Sequence, residues 1–172
     1  MTRACTLVTL IALSACSWRP TAAPPAGPAG LATIVRPVDG DTVVVRVGGV
    51  EERVRLIGID TPESVSRQRP VECFGPEAKH RTAELLPAGT HVRLERDVEA
   101  RDPYDRLLAY VTRADDDVLV NLLLVSEGFA ESARFAPNLA HQAELDRAEA
   151  EAKAARRGLW PACGGTDVVL GR

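Results

Sequence analysis

The sequence predicts an α+β domain: a small closed β-barrel with about three helices packed on it. Two β-branched runs, Thr42-Val43-Val44-Val45-Arg46-Val47 and Arg53-Val54-Arg55-Leu56-Ile57-Gly58-Ile59, flank Gly48-Gly49. A tight primed turn needs the positive φ that glycine tolerates, so these runs read as a β-hairpin. The remaining segments alternate as a helix, further strands and then helices, an order that suits a barrel covered by helices. With 172 residues and 45% hydrophobic content, the chain can bury one sizeable core, and aromatics at 4% make that core aliphatic.

Residues 1–15 read as a signal rather than as part of the fold. Arg3 supplies a positive start, and the apolar stretch 7–13 is too short to span a bilayer. Leu13-Ser14-Ala15-Cys16 fits a bacterial lipobox, which makes Cys16 the lipidated first residue of a membrane-anchored, extracytoplasmic protein. The alternative is an ordinary secretory signal and a released product. Residues 16–30 are rich in Pro, Ala and Gly and form a tether. The domain is expected over 31–164, followed by a tail at 165–172.

After the hairpin and the turn Asp60-Thr61-Pro62-Glu63, residues 64–72 are polar and read as a loop. Gly75-Pro76-Glu77 opens a helix that runs to about Leu86 and stops at Pro87. Residues 90–98 and 107–112 read as strands. The apolar run 118–125 reads as a short buried helix with Asn121 near its start, ending at Gly128. Asn138 is placed as the cap of a long helix reaching Arg157, with Leu145, Ala148, Ala152 and Ala155 on one stripe. Arg156-Arg157-Gly158 marks its end. No internal repeat is evident.

The hairpin carries the chemistry. Its geometry brings Asp41, at the start of the first strand, beside Asp60 at the end of the second, with Glu63 just past the Pro62 turn. Three crowded carboxylates repel one another unless a cation joins them. Oxygen ligands without nearby Cys or His suit a hard divalent ion, calcium before magnesium or manganese. Arg55 is within reach of the same end, yet its parity differs from that of Asp60, so on a flat strand the two face opposite ways. A bulge, or a strand ending near Gly58, is needed to bring them together. The plain alternative is a solvated hairpin whose acids merely fill turns.

Asp39-Gly40-Asp41-Thr42, then Arg55, then Asp60-Thr61-Pro62-Glu63 resembles the signature of the thermonuclease family, the staphylococcal-nuclease-like domains. The resemblance runs from about Thr33 to Trp160, with the motifs in family order. It implies an OB-fold, a five-stranded barrel, and calcium-dependent hydrolysis of phosphodiester bonds in DNA and RNA to 3′-phosphate products. Carried over residue by residue, Asp41, Asp60 and the Thr61 carbonyl would hold Ca2+, and Glu63 would be the general base. Arg55 and Arg106 would stabilise charge at phosphorus. Tyr104-Asp105-Arg106-Leu107-Leu108-Ala109-Tyr110 matches the family segment that carries the second arginine. The alternative for Arg106 is a surface arginine paired with Asp102 or Asp105.

The chain departs from the family pattern where substrate is bound. Pro103 stands for a lysine, Asp105 for a glycine, and Arg134 for a tyrosine, or else that aromatic is shifted to Phe135. Tyr104 and Arg134 are the candidate substrate contacts. A net charge of -3 and pI near 5.7 argue mildly against indiscriminate nucleic-acid binding. His80, His91 and His141 lack metal-ligand spacing and read as surface or structural residues. Cys5 lies in the signal, and in an exported domain Cys73 and Cys163 favour a disulfide, with two inert thiols as the alternative. A monomer is expected. The rival functions are a non-catalytic OB-type module binding single strands or oligosaccharides, and a calcium-binding surface lipoprotein. The scarcity of aromatic stacking platforms weighs against the first.

Overall fold

Gly48-Gly49 does close a hairpin in the computed structural model, which describes residues 30–64 and 70–169. The lipobox with Cys16, the tether up to residue 29, residues 65–69 of the polar loop and the last three residues of the tail lie outside the described residues. Among the described residues, no helix is long and apolar enough to cross a membrane.

Strands β1 (Ala32–Asp39), β2 (Thr42–Val47) and β3 (Val50–Leu56) form an antiparallel meander. Strands β5 (His91–Glu95) and β6 (Leu107–Arg113) complete a closed barrel in the order β1-β2-β3-β6-β5. β3 and β6 run parallel, and β5 returns to β1 through Ala32 and Thr33. This is the expected five-stranded OB-type barrel. A short pair, β4 (Ile59–Asp60) and β7 (Glu131–Ser132), stands beside it.

β1 has no clear counterpart in the sequence pattern. Its register against β2 breaks between Ile34 and Arg36 and again between Pro37 and Asp39. Bulges of this kind bend a strand around a small barrel and leave room for Pro37, which cannot donate to a ladder. The interior is aliphatic, built from Ile34, Val43, Val45, Val54, Leu56, Val92 and Val111. Tyr110 is the largest of the fully buried side chains.

Helix α1 (Gly75–Leu85) starts with proline in its first turn, as expected. Arg81 ties it to α2 (Val120–Ser126) by forking onto both carboxylate oxygens of Glu127, at 2.7 and 2.8 Å. Helix α3 (Gln142–Ala154) begins later than the sequence suggests, and His141, not Asn138, is its N-cap. Asn138 is 2% exposed and clasps Glu99 instead: its Oδ1 accepts from the Glu99 N–H, and its amide donates to the Glu99 carbonyl. An asparagine side chain can satisfy a distant peptide as well as a helix end, and here burial selects the peptide. Leu145, Ala148 and Ala152 face the core, whereas Ala155 is the exposed C-cap. The left-handed residue that ends α3 is Arg156, at φ 52, ahead of Gly158. A one-turn helix, α4 (Leu159–Ala162), follows.

Candidate active site

Residue parity alone would separate Arg55 from Asp60, and the backbone resolves this by ending β3 at Leu56. Gly58 then turns at φ 77 before β4 resumes. A Cβ at Gly58 would also lie 2.5 Å from Leu145 Cδ1, so only glycine both turns and packs there. The bend is stapled on several sides. Leu56 N–H donates to the Asp41 carbonyl at 2.8 Å, and Ile57 N–H to that of Ala109 at 3.1 Å. Asn121, fully buried at the start of α2, donates to the Ile57 carbonyl and accepts from Val111 N–H, at 2.8 and 2.9 Å. A buried amide with both ends satisfied makes a fixed cross-brace.

Arg55 is thereby set between two carboxylates. Its guanidinium is ion-paired with Asp41 and reaches Asp60 Oδ1 at 2.9 Å, with its side chain only 12% exposed. Asp41, at 8% exposure, also accepts from the hydroxyls of Thr42 and Thr61 at 2.9 and 3.1 Å. An anion this buried needs such a full complement of donors. Burial lowers Arg55 below the usual arginine range; Asp60 and Asp39 oppose that shift, and the charge of Arg106 adds to it. Arg106 is therefore close enough to be felt by Arg55 although it stands at the foot of another strand.

Arg106 is held by its own turn. Its Nε donates to Asp102 Oδ2 at 2.6 Å and its N–H to Asp102 Oδ1 at 2.9 Å. The pairing expected of a plain surface arginine is thus present, alongside the proximity to Arg55. Tyr104 is 81% exposed, and its ring centroid lies 5.7 Å from the Arg106 guanidinium carbon. Asp105 stands at φ 62, a conformation glycine adopts freely, which would suit the glycine that the family resemblance implies at that place.

Glu63 follows the Pro62 turn, and Glu72 holds its peptide on both sides. The Glu63 N–H donates to Glu72 Oε2 at 2.8 Å, and the Glu63 carbonyl accepts from Glu72 N–H at 2.9 Å. Ser64 Oγ donates to Asp39 Oδ1 at 2.5 Å, tying this turn back to the first aspartate. Arg134 points elsewhere: it is 70% exposed and paired with Asp146. Phe135 lies closer to the centre, its ring centroid 5.9 Å from the Arg55 guanidinium carbon. Cys73 and Cys163 are joined in a disulfide, with Cα atoms 5.9 Å apart.

Glu72 has a site-supporting role that sequence reasoning did not assign, and Asp102, weighed there only as a surface partner of Arg106, holds that arginine in place. Asp102 was visible as an acid four residues before Arg106, whereas Glu72 sits in a polar loop and carries no local signal. The donor chemistry fits a hard divalent cation. Asp41 and Asp60 converge on a single positive charge, the Arg55 guanidinium, and Thr61 lies beside them. Among the described residues, no three His, Cys, Asp or Glu side chains form a metal-binding group, so an ion here would complete its shell from carbonyl and water oxygens.

Comparison with known proteins identifies the family. The model of the staphylococcal nuclease homologue family matches residues 53–162, a span that includes Arg55, Asp60, Thr61, Glu63 and Arg106. Thermonuclease from Staphylococcus intermedius is 39% identical over 127 residues, 74% of this chain and 74% of that protein. Thermonuclease from Staphylococcus hyicus is 35% identical over 127 residues, covering 74% and 73% of the two chains. The SPbeta prophage-derived endonuclease YokF of Bacillus subtilis is 38% identical over 130 residues, 74% of this chain and 43% of that protein. The chain belongs to the staphylococcal nuclease homologue family.

Proposed function

We propose that this protein is a calcium-dependent nuclease that hydrolyses phosphodiester bonds in DNA and RNA and leaves 3′-phosphate ends. The observation that carries this reading is the convergence of Asp41 and Asp60 on Arg55, in a chain of the thermonuclease family. Asp41, Asp60 and the Thr61 carbonyl would hold the ion, which when bound would supply Lewis-acid polarisation of a phosphoryl oxygen. Glu63 takes the proton from the attacking water. Arg55 and Arg106 offer paired N–H donors to phosphate oxygens, where negative charge grows as phosphorus becomes five-coordinate. Tyr104 and Phe135 supply exposed rings for nucleotide contact, with Arg134 an outlying cation.

Cys16 is proposed as a lipid anchor that holds a monomeric enzyme at the outer face of a membrane. Two or three acyl chains are needed for stable attachment of this kind.

The test is degradation of plasmid DNA and of RNA with added calcium and with EGTA. Cleavage should require calcium, stop in EGTA and return on re-addition. Glu63→Gln should lower turnover by roughly two to four orders of magnitude with little change in substrate binding. Undiminished cleavage in EGTA rejects the calcium assignment, and nucleic-acid binding without any cleavage favours the non-catalytic module.

A further inference from the structure

The segment after α4, which the sequence suggests is only a tail, runs along the catalytic end of the barrel. Thr166 N–H donates to Glu131 Oε1 at 2.6 Å, and Glu131 is the β7 partner of Asp60. Two residues on, the Val168 carbonyl accepts from Cys73 N–H at 2.6 Å, and Val169 bridges Glu72 in antiparallel fashion. The disulfide from Cys73 to Cys163 fastens the start of this strap to the segment that its far end pairs with. One strap therefore touches the partner of Asp60 at one point and the residue clasping Glu63 at another.

Glu72 is 5% exposed, an unusual place for a carboxylate, and the Glu63 peptide is what it binds. The fit is close on the other side too. A Cβ on Gly75 would come within 2.5 Å of the Glu63 carbonyl oxygen, so the first turn of α1 lies directly on that peptide. Between Cys73 and Gly75, Phe74 is held at φ 71, a left-handed conformation sparsely populated by aromatic residues, and its ring packs on Phe129 at 5.4 Å. Strain of this kind persists only where surrounding contacts over-determine the backbone. The contacts here are the strap, the disulfide and the phenylalanine pair.

We propose that Glu72 is a positioning residue for Glu63, and that the Cys73–Cys163 disulfide sets through Glu72 how firmly the Glu63 peptide is held, which makes cleavage rate sensitive to reduction. The proposal rests on Glu63 having the role given above. Reduction by a dithiol is balanced: its thiolate attacks one sulfur, the S–S bond breaks, and the reductant closes to its own disulfide. Two thiols are left on the protein, which take up the two protons lost by the dithiol. The strap then keeps only its hydrogen bonds, and the clasp on Glu63 loosens while the barrel stays paired.

The experiment compares oxidised wild type, dithiol-reduced wild type, the double variant Cys73→Ser/Cys163→Ser, Glu72→Ala and Glu72→Gln. For each, kcat and KM are measured on a DNA oligonucleotide with calcium, and amide hydrogen exchange is followed at Glu63, Val45 and Val54. Glu72→Ala should lose about tenfold to a hundredfold in kcat, the scale of a small misplacement, with KM little changed. Glu72→Gln should recover most of that loss, because its amide oxygen still accepts from Glu63 N–H. Reduced protein and the double serine variant should fall between the two, with faster exchange at Glu63 and unchanged exchange at Val45 and Val54.

Equal kcat and equal Glu63 exchange in oxidised and reduced protein would overturn the proposal. So would loss that glutamine does not restore and that is accompanied by faster exchange at the barrel amides. Absence of cleavage by oxidised wild type counts against the nuclease reading, and the exchange comparison still decides the clasp.

Discussion

The two arginines at the candidate site are held in different ways. Arg55 belongs to the half around β3 and β4, with Asp41, Asp60 and Thr61, where its partners come from the turn between β1 and β2 and from β4. Arg106 belongs to the loop-borne half, with Tyr104, Arg134 and Phe135, and its carboxylate partner lies four residues earlier in the same turn. In the first half Arg55 and Asp41 are both largely buried, and Asp41 is tied to Thr61, 20 residues on. In the loop half the Arg106–Asp102 pair is local and partly buried, and the Arg134–Asp146 pair is exposed, where salt screens it. Pro103, Asp105 and Arg134, the departures that the family resemblance implies, all fall in the loop half. Surface turns tolerate change because little else depends on them, whereas moving Asp41 or Arg55 leaves a buried charge unpaired.

The sharpest way to break this comparison is to substitute both arginines by lysine. Arg55→Lys should lower kcat by about 10² to 10³, since an ammonium cannot span two carboxylates and still offer paired donors to phosphate. Arg106→Lys should cost about tenfold, because its turn can adjust. Equal losses at both sites would erase the distinction between the halves.

A smaller effect separates them by pH. Burial alone would raise the Asp102 carboxyl, but the Arg106 backbone N–H, its guanidinium and the Tyr104 N–H hold it below the usual carboxylate value. A carboxyl lowered on folding stabilises fully above its unfolded pKa, about 3.9, and loses that contribution as pH falls through the folded value. The difference in Tm between wild type and Asp102→Asn should therefore be greatest near neutral pH and shrink as acid is added. A gap that stays constant with pH would show that Asp102 does not act through its charge.

The smallest effect lies outside both halves and calibrates the others. Arg156 occupies a left-handed conformation at the end of α3, with φ 52. Arg156→Gly should stabilise by about 0.5 kcal/mol, raising Tm by about one to two degrees with activity unchanged. A fall in Tm would mean that the arginine side chain contributes more than its backbone conformation costs.

The split between what could be read directly and what could not follows the range of the interactions. The hairpin, the meeting of Asp41 and Asp60 at its open end, the helix after Gly75-Pro76 and the buried run around Asn121 are all local or short-range. Glycine turns, period-two alternation and proline at a helix start act within a few residues, so the amino-acid order alone determines them. The catalytic motifs are short for the same reason. The assignment of Asn138 as a helix cap is overturned because its partner, Glu99, is 39 residues away, and a side chain that suits a cap equally suits a distant peptide. β1 was hidden by its bulges, and Glu72 by a partner nine residues off across a loop. Two lone cysteines in the domain suggested a bond, but nothing in their spacing of 90 residues set them beside the peptide of Glu63. The tertiary structure alone decided how Arg55 reaches both carboxylates and which residues brace Glu63. A buried hydrogen bond is satisfied by whatever group the fold brings within 3 Å, and that choice leaves no periodic trace along the chain.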